Sequence, residues 1–471
     1  MAAEWSSRIW SRNSLPTAVL LFVAAAAPLP FGSTNDASIA FWCLCLGLAL
    51  ALASSSSLRR QQLRLLAGIG LIAAGYGFVL HEQLSDAPWI APFHSVWKQA
   101  SDLLGVPIAP SASITKNQAL FALGAPLANL LALTLGVIIG ADRSRARLLL
   151  WVIAGSGAIY ALYGVASFLI EPTMILWRDK KAYVGSVTGT FINRNTAATY
   201  FGSCAVIWLL LILEQIRKRF AGRGVIWKQL GRDLAELPPS EFVPQAAALL
   251  ICLTAMFMTV SRAGVALSLL ALIVSGTVLL RKDLPPRTGI WIALGSGLLF
   301  ALGLLQLIGG QVSSRFDSQG LVDEGRIEAW KSTLRMIADH PWFGTGMGTF
   351  TAAFPPYRSA EISMRGGWDA AHSTPLELVA EVGIPLGALV AAGWAAMLVL
   401  LVRGALVRRQ DVIVPLAAAA IAIQSLLHSA IDFTLQVPGY SIPFFALFGA
   451  GLAQSFRRRR ATPVARRINP I

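Results

Sequence analysis

The sequence predicts an all-α integral membrane protein with about twelve transmembrane helices and a large extramembrane loop carrying short helices. Three observations predict it. Of the 471 residues, 55% are hydrophobic and only 13% charged, against about 25% charged in a soluble domain. The mean hydropathy is +0.62, and it is carried by many apolar runs, each near the roughly 20 residues that cross hydrocarbon. Finally, two thirds of the Lys and Arg residues fall in alternate connections between these runs.

Spans are expected near 15–32, 37–55, 65–81, 117–140, 148–170, 197–213, 244–260, 264–280, 288–308, 376–401, 412–432 and 441–455. The runs lack period-2 alternation, so they are helices and not barrel strands. The first run contains AAAAP and invites confusion with a cleaved signal peptide, but its preceding region is long, and it is read as the first span.

One set of connections contains Arg8 and Arg12, then Arg59, Arg60 and Arg64, then Arg143, Arg145 and Arg147. It continues through segment 214–243, Arg281, Lys282 and Arg287, and Arg403, Arg408 and Arg409, to the tail after Phe456. This set holds 26 of the 39 Lys and Arg residues but only 8 of the 24 acids. The positive-inside rule places it in the cytoplasm, with both termini and an even number of spans. The formal charge of +15 is therefore a topology signal, and it does not point to nucleic acid. The tail RRRRATPVARR (457–471 is the basic tail) suits contact with anionic lipid.

Three connections on the other face are too long to be turns. Segment 82–116 holds Trp89, Phe93, Trp97, Leu103 and Leu104, which suit a short interfacial helix. Segment 171–196 is the second. Segment 309–375 is the largest, with a helical pattern from Arg326 through Ile327, Trp330, Leu334 and Ile337, followed by HPWFGTGMGTF. The chain thus divides into N-terminal helices over 1–184 and a core over 185–456 that includes loop 309–375.

The polar chemistry gathers on that second face. GTFINRN (189–195) opens the sixth span, where Arg194 sits at a helix start between Asn193 and Asn195. Free N–H groups and the positive dipole end suit a phosphate there; the alternative is a snorkelling arginine with an Asn cap. Ser261-Arg262-Ala263-Gly264 turns between two spans with an arginine at membrane level, tolerable when it faces a polar cavity or an anion, or again by snorkelling. His372, in AAHS before the tenth span, is able to act as a base near neutral pH or is a simple polar residue at a helix start. Gly344, Gly346 and Gly348 lack the strand-turn-helix setting and Lys of nucleotide loops and read as a close-packing turn. His428 and Asp432, and Glu377 and Glu381, each one helical turn apart, suit proton relay or interhelical bonding. Cys43, Cys45, Cys204 and Cys252 lie in apolar runs and read as small buried hydrophobes. The five histidines, His81, His94, His340, His372 and His428, lack paired ligand spacing, so no metal or other cofactor is expected.

Taken in order, GTFINRN with Ala197 and Tyr200, SRAG, GRIEAW with HPWFGTGMGTF, and His372-Ser373 nine residues before Gly383 resemble the O-antigen ligase and O-antigen polymerase superfamily over roughly 185–450. One departure is that the ligase pattern has Gly three residues after Gly383, where this chain has Leu386, with Gly387 next. The resemblance implies a metal-independent, inverting membrane glycosyltransferase of GT-C type in the bacterial inner membrane. Its donor would be a glycan on undecaprenyl diphosphate, its acceptor a glycolipid or glycan hydroxyl, and its site would face the periplasm. By motif position it implies His372 as the catalytic residue and Arg194, Arg262 and Arg326 as diphosphate-binding, with Asn193 and Asn195 in support. A repeat-unit polymerase would share the donor chemistry. A lipid or polysaccharide transporter also suits twelve spans, but transporters place their unusual residues near mid-membrane.

Overall fold

The computed structural model describes residues 13–456 apart from 57, 220–238, 282, 284–287, 309–323, 363–367 and 409–410. Arg8, Arg12, part of the large loop and the basic tail therefore lie outside the described residues.

The apolar runs are helices. In chain order they are α1 (Ser14–Ala26), α2 (Asp36–Leu52), α3 (Arg60–Leu84), the short α4 (Ser95–Leu104) and α5 (Gln118–Ala122), α6 (Gly124–Gly140) and α7 (Arg143–Ile170). Then follow α8 (Arg194–Arg219), α9 (Pro239–Met258), α10 (Arg262–Leu280), α11 (Gly289–Ile308), α12 (Glu324–Asp339), α13 (Phe350–Ala353), α14 (Thr374–Val382), α15 (Ile384–Val407), α16 (Ile413–Ser429) and α17 (Pro438–Ser455). Among the described residues, six helical stretches are long and apolar enough to cross a membrane: α3, Gln118–Gly140, α7, α8, α10 and α15. Shorter apolar helices include α1, α2 and α16.

Two features differ from expectation. The expected span 376–401 is two helices, because Gly383 adopts φ +84° and a Cβ there would collide with the Trp342 carbonyl. Ile384 N–H instead donates to the Pro341 carbonyl at 2.7 Å, so α14 belongs to the loop layer and the long helix starts at Ile384. The all-α expectation also misses a two-stranded antiparallel ribbon, β1 (Met174–Ile175) with β2 (Arg178–Asp179). Residues this few carry no readable alternation.

Helix α8 is the axis of the bundle. Its hydrophobic window is 89% buried, against 11% for α3, so polar groups on α8 face protein. It packs against α7, α9, α10 and α16. The α10 contact is close because a Cβ on Gly264 would overlap Ala198. Gly136 and Gly140 of α6 likewise admit the backbone of α17 at Ala446 and Ala450, the small-residue packing that joins helices where lipid offers no hydrophobic drive.

The basic connections meet at one end of this bundle. Arg147 binds Glu214 through two bonds of 3.0 and 2.6 Å, Arg217 pairs with Asp283 at 2.7 Å, and Arg143 pairs with Asp411. At the other end, α12, α13, α14 and their links form a second layer with its own core: Met336, Ile337, Phe350, Phe354, Ile362 and Ala371. The GTGMG turn docks this layer onto α3, where Gln83 donates to the Phe343 and Glu381 carbonyls at 2.9 Å each and accepts from Met347 N–H at 2.9 Å. Positive φ at Gly344, Gly346 and Gly348 makes the turn, and a Cβ on Gly344 would strike the Glu381 backbone. The short helix expected in segment 82–116 is α4; Leu103 and Leu104 at its end and Trp89 and Phe93 before it are exposed.

Candidate active site

The site lies where four chain segments meet at the end of the bundle opposite the arginine-rich connections. The first segment is the start of α8. Asn193 caps it, its side-chain oxygen accepting from the N–H groups of Asn195 at 2.7 Å and Thr196 at 3.2 Å. Arg194 is the first helical residue, and its guanidinium stands 4.9 Å over the ring of Tyr183. A cation above an aromatic face is held in direction by the ring's quadrupole.

The second is the start of α10, at SRAG. Ser261 caps this helix by accepting from Gly264 N–H at 3.3 Å and donates its hydroxyl proton to the Asn195 side-chain oxygen at 2.8 Å. That bond fastens the two helix starts together and sets Arg194 and Arg262, each a first helical residue, at adjoining positive dipole ends.

The third is α12 with the segment before α14. Arg326 donates to the Ile431 carbonyl at 2.7 Å, and its second terminal nitrogen lies 3.6 Å from Asp432. Trp330 donates its indole N–H to the His372 carbonyl at 3.3 Å. The imidazole of His372 sits between Trp368 and Phe433, each ring centroid 5.4 Å away. Its Nδ1 is 3.7 Å from an Asp432 oxygen.

The fourth is the turn after α16, which carries Asp432. This side chain is 1% exposed. It accepts from the amide of Asn195 and from Phe433 N–H at 2.8 Å, besides facing Arg326 and His372. Burial pushes its pKa up, but the polar contact with His372 and the charges of His428 and Arg326 outweigh that, holding the carboxyl below its ordinary value. Asp432 is thus an ionised hub joining three separate sequence motifs. The sequence leaves His428 and Asp432 to proton relay or to interhelical bonding, and both bond across helices: Asp432 to Asn195, and His428 to the hydroxyls of Thr199 at 2.6 Å and, in the following turn, Thr434 at 2.9 Å, behind the hub.

Backbone strain collects here as well. Tyr183 (φ 58°), Val260 (φ 55°) and His372 (φ 50°) are all left-handed without being glycine. Each such residue costs about 1–3 kcal/mol and persists where surrounding contacts over-determine it, often at functional sites. One lies under Arg194, one precedes SRAG, and one is the histidine itself. Sequence alone shows none of this, because strain has no residue signature outside glycine and asparagine.

The structure therefore brings Arg326, His372 and Asn195 to one carboxylate, and joins the Arg262 turn to Asn195 through Ser261. Among the described residues no three His, Cys, Asp or Glu side chains group as metal ligands.

Residues 247–391 match the family model described as O-antigen ligase. This part of the chain belongs to the O-antigen ligase superfamily. The matched segment contains Arg262, Arg326 and His372, while Asn193, Arg194, Asn195 and Asp432 lie outside it and join it by the contacts above. No curated protein matches the chain at a significant level. The chain is thus a multi-helix protein with several membrane-length helices, and its segment 247–391 is similar to O-antigen ligases.

Proposed function

We propose that the chain is a glycosyltransferase of about twelve spans and GT-C-like architecture. It moves a glycan from undecaprenyl diphosphate to an acceptor hydroxyl at the periplasmic face of the bacterial inner membrane, with both termini cytoplasmic. The observation that carries this reading is the hub: a partly exposed histidine and Arg326, from motifs far apart in sequence, held at buried Asp432, with the helix starts of Arg194 and Arg262 tied to it through Asn195 and Ser261.

The chemistry follows from the charges. The acceptor hydroxyl attacks the anomeric carbon, the sugar–phosphate bond breaks, and the electron pair leaves with the diphosphate. Arg194 and Arg262, as planar, permanently charged donors at adjoining helix starts, meet the oxygens where charge grows. Each preorganised donor of this kind contributes about 3–4 kcal/mol. His372 takes the hydroxyl proton as the new bond forms. With Nδ1 turned to Asp432, Nε2 is the atom left for the acceptor, and the carboxylate stabilises the imidazolium. Arg326, tied to Ile431 and Asp432, contributes positive charge from the loop side and orients Asp432. Direct displacement inverts the anomeric centre, and the diphosphate leaving group makes nucleotide or metal activation unnecessary to the step.

The test is a reconstituted reaction with glycan-loaded undecaprenyl diphosphate and chelator present. Lipid A–core serves as acceptor in one arm and a second loaded carrier in the other. Product on lipid A–core that disappears in His372→Ala identifies a ligase; a ladder of longer carrier-linked chains identifies a polymerase. Transfer by His372→Ala at the wild-type rate would refute the assignment.

A further inference from the structure

We propose that Glu377 is a positioning residue for His372: by accepting the N–H of Ala371 it holds the histidine in its left-handed backbone conformation and ties that segment to the turn bearing Asp432. This rests on the transferase reading above.

Three observations carry it. The Glu377 side chain accepts from Ala371 N–H at 2.7 Å, a bond to the residue directly before His372, whose φ is 50°. Ala371 is fully buried, so no water competes for that donor. Glu377 also bonds Gln436, in the 3-10 turn Thr434–Gln436 that follows Asp432. One carboxyl thus spans the two chain segments whose spacing sets the His372–Asp432 distance. Trp330 holds the His372 carbonyl from the other side, so the strained residue is gripped at both flanks.

The charge acting on the Glu377 carboxyl is that of another carboxyl, Glu381. Burial first, and then the charge of Glu381 one turn along, raise its pKa. Burial likewise raises Glu381, against the N–H groups of Gly348, Phe350 and Thr349 that it accepts. An acceptor atom at a fixed place is what the Ala371 bond needs, and a neutral acid or amide supplies one as well as a carboxylate does. That distinguishes positioning from proton carriage.

The experiment compares Glu377→Gln with Glu377→Asp in the reconstituted transfer assay, with His372→Ala as control. Gln keeps the acceptor in place without the ability to ionise. Asp keeps the carboxyl but withdraws it by about 1.5 Å, one carbon–carbon bond. Positioning predicts that Glu377→Gln stays within about threefold of wild-type kcat. Glu377→Asp loses about 10²-fold in kcat, the scale of a 1 Å misplacement, at unchanged donor KM, with a lower melting temperature from the orphaned Ala371 N–H that still leaves the protein folded at the assay temperature. Inactive Gln with active Asp would assign proton transfer instead and overturn the proposal. Two variants with wild-type kcat, beside an inactive His372→Ala, would overturn it while leaving the transferase reading intact. An active His372→Ala would remove that reading and this inference with it.

Discussion

Replacing Asp432 by Asn tests whether the hub is chemical or only structural. Asn fits the same space and still accepts from Phe433 N–H, so the fold-level change is small. What it removes is the negative charge 3.7 Å from His372 Nδ1 and 3.6 Å from Arg326. At an effective dielectric of 20, opposite unit charges at that distance attract by about 4 kcal/mol. The imidazolium carries its charge only once the acceptor proton has been taken, so this attraction belongs to the transition state. At 1.36 kcal/mol per decade it corresponds to about 10³-fold in rate. The side chain of His372 is 27% exposed, so solvent screening makes this an upper bound and about 10²–10³-fold the expected loss. Kinetics on reconstituted protein measure it: kcat falls by that factor while donor KM, set mainly by Arg194 and Arg262, moves little. Stability falls too, by about 1.5–3 kcal/mol for lost charged hydrogen bonds, read as a lower melting temperature in detergent. An Asp432→Asn enzyme within threefold of wild-type kcat would refute the hub's chemical role, whatever its melting temperature.

Other outcomes follow from the same geometry. Arg262→Lys keeps the charge but loses the planar fork, and is expected to lower kcat by about 10²–10³-fold with normal insertion, measured by transfer rate and protease-protection topology. Gly383→Ala places a Cβ against the Trp342 carbonyl at φ +84°; it should destabilise the loop layer by more than the 1–3 kcal/mol of a strained residue alone, read by thermal unfolding. The raised pKa values of Glu377 and Glu381 mean the folded state favours their protonated forms. Their contribution is present in full below about pH 4, the unfolded value, and is lost as pH rises through the raised folded values. Melting temperature should therefore decline with rising pH over that interval, and Glu377→Gln should flatten the decline. Asp432, lowered instead, contributes above its unfolded value of about 3.9 and loses that contribution as pH falls through its folded value.

Most of the helical plan is legible in the sequence, and so is the arginine–histidine set, for different reasons. Apolar runs are long enough to average over local detail, and the Lys and Arg distribution is a sum over many residues. The charge grouping made from Arg59, Arg143, Arg147, Arg281 and Arg408 finds a counterpart in the structure, where Arg143–Asp411 and Arg147–Glu214 close one end of the bundle. What is not legible depends on single backbone torsions and long-range contacts. Nothing in EVGIPLG says that Gly383 ends one helix and starts another; that follows from the Trp342 carbonyl reaching it across the loop. Nothing near Asp432 says that its partners are Asn195, Arg326 and His372, at separations of up to 237 residues. Helical spacing sets His428 and Asp432 on one face, but periodicity cannot say which other helix each one bonds.

The placement of these groups also explains why the site tolerates so many charged residues at the end of an apolar bundle. Arg194 and Arg262 begin their helices, where backbone N–H groups are unpaired by helix geometry, so the local potential is positive before either guanidinium is counted. An ionised Asp432, tied to both helix starts through Asn195 and Ser261, lowers the cost of assembling like charges in the unliganded protein. It is buried and accepts from Asn195 and Phe433, which offsets the cost of taking a carboxylate out of water. A bound diphosphate would supply further negative charge at the arginines and relieve their mutual repulsion. Arg326 is the link between the two states, since it contacts the carboxylate from the loop layer and not from the bundle. Movement of α12 relative to α16 would therefore change the charge balance at His372 directly. The site's electrostatics and the docking of its loop are one property of the fold.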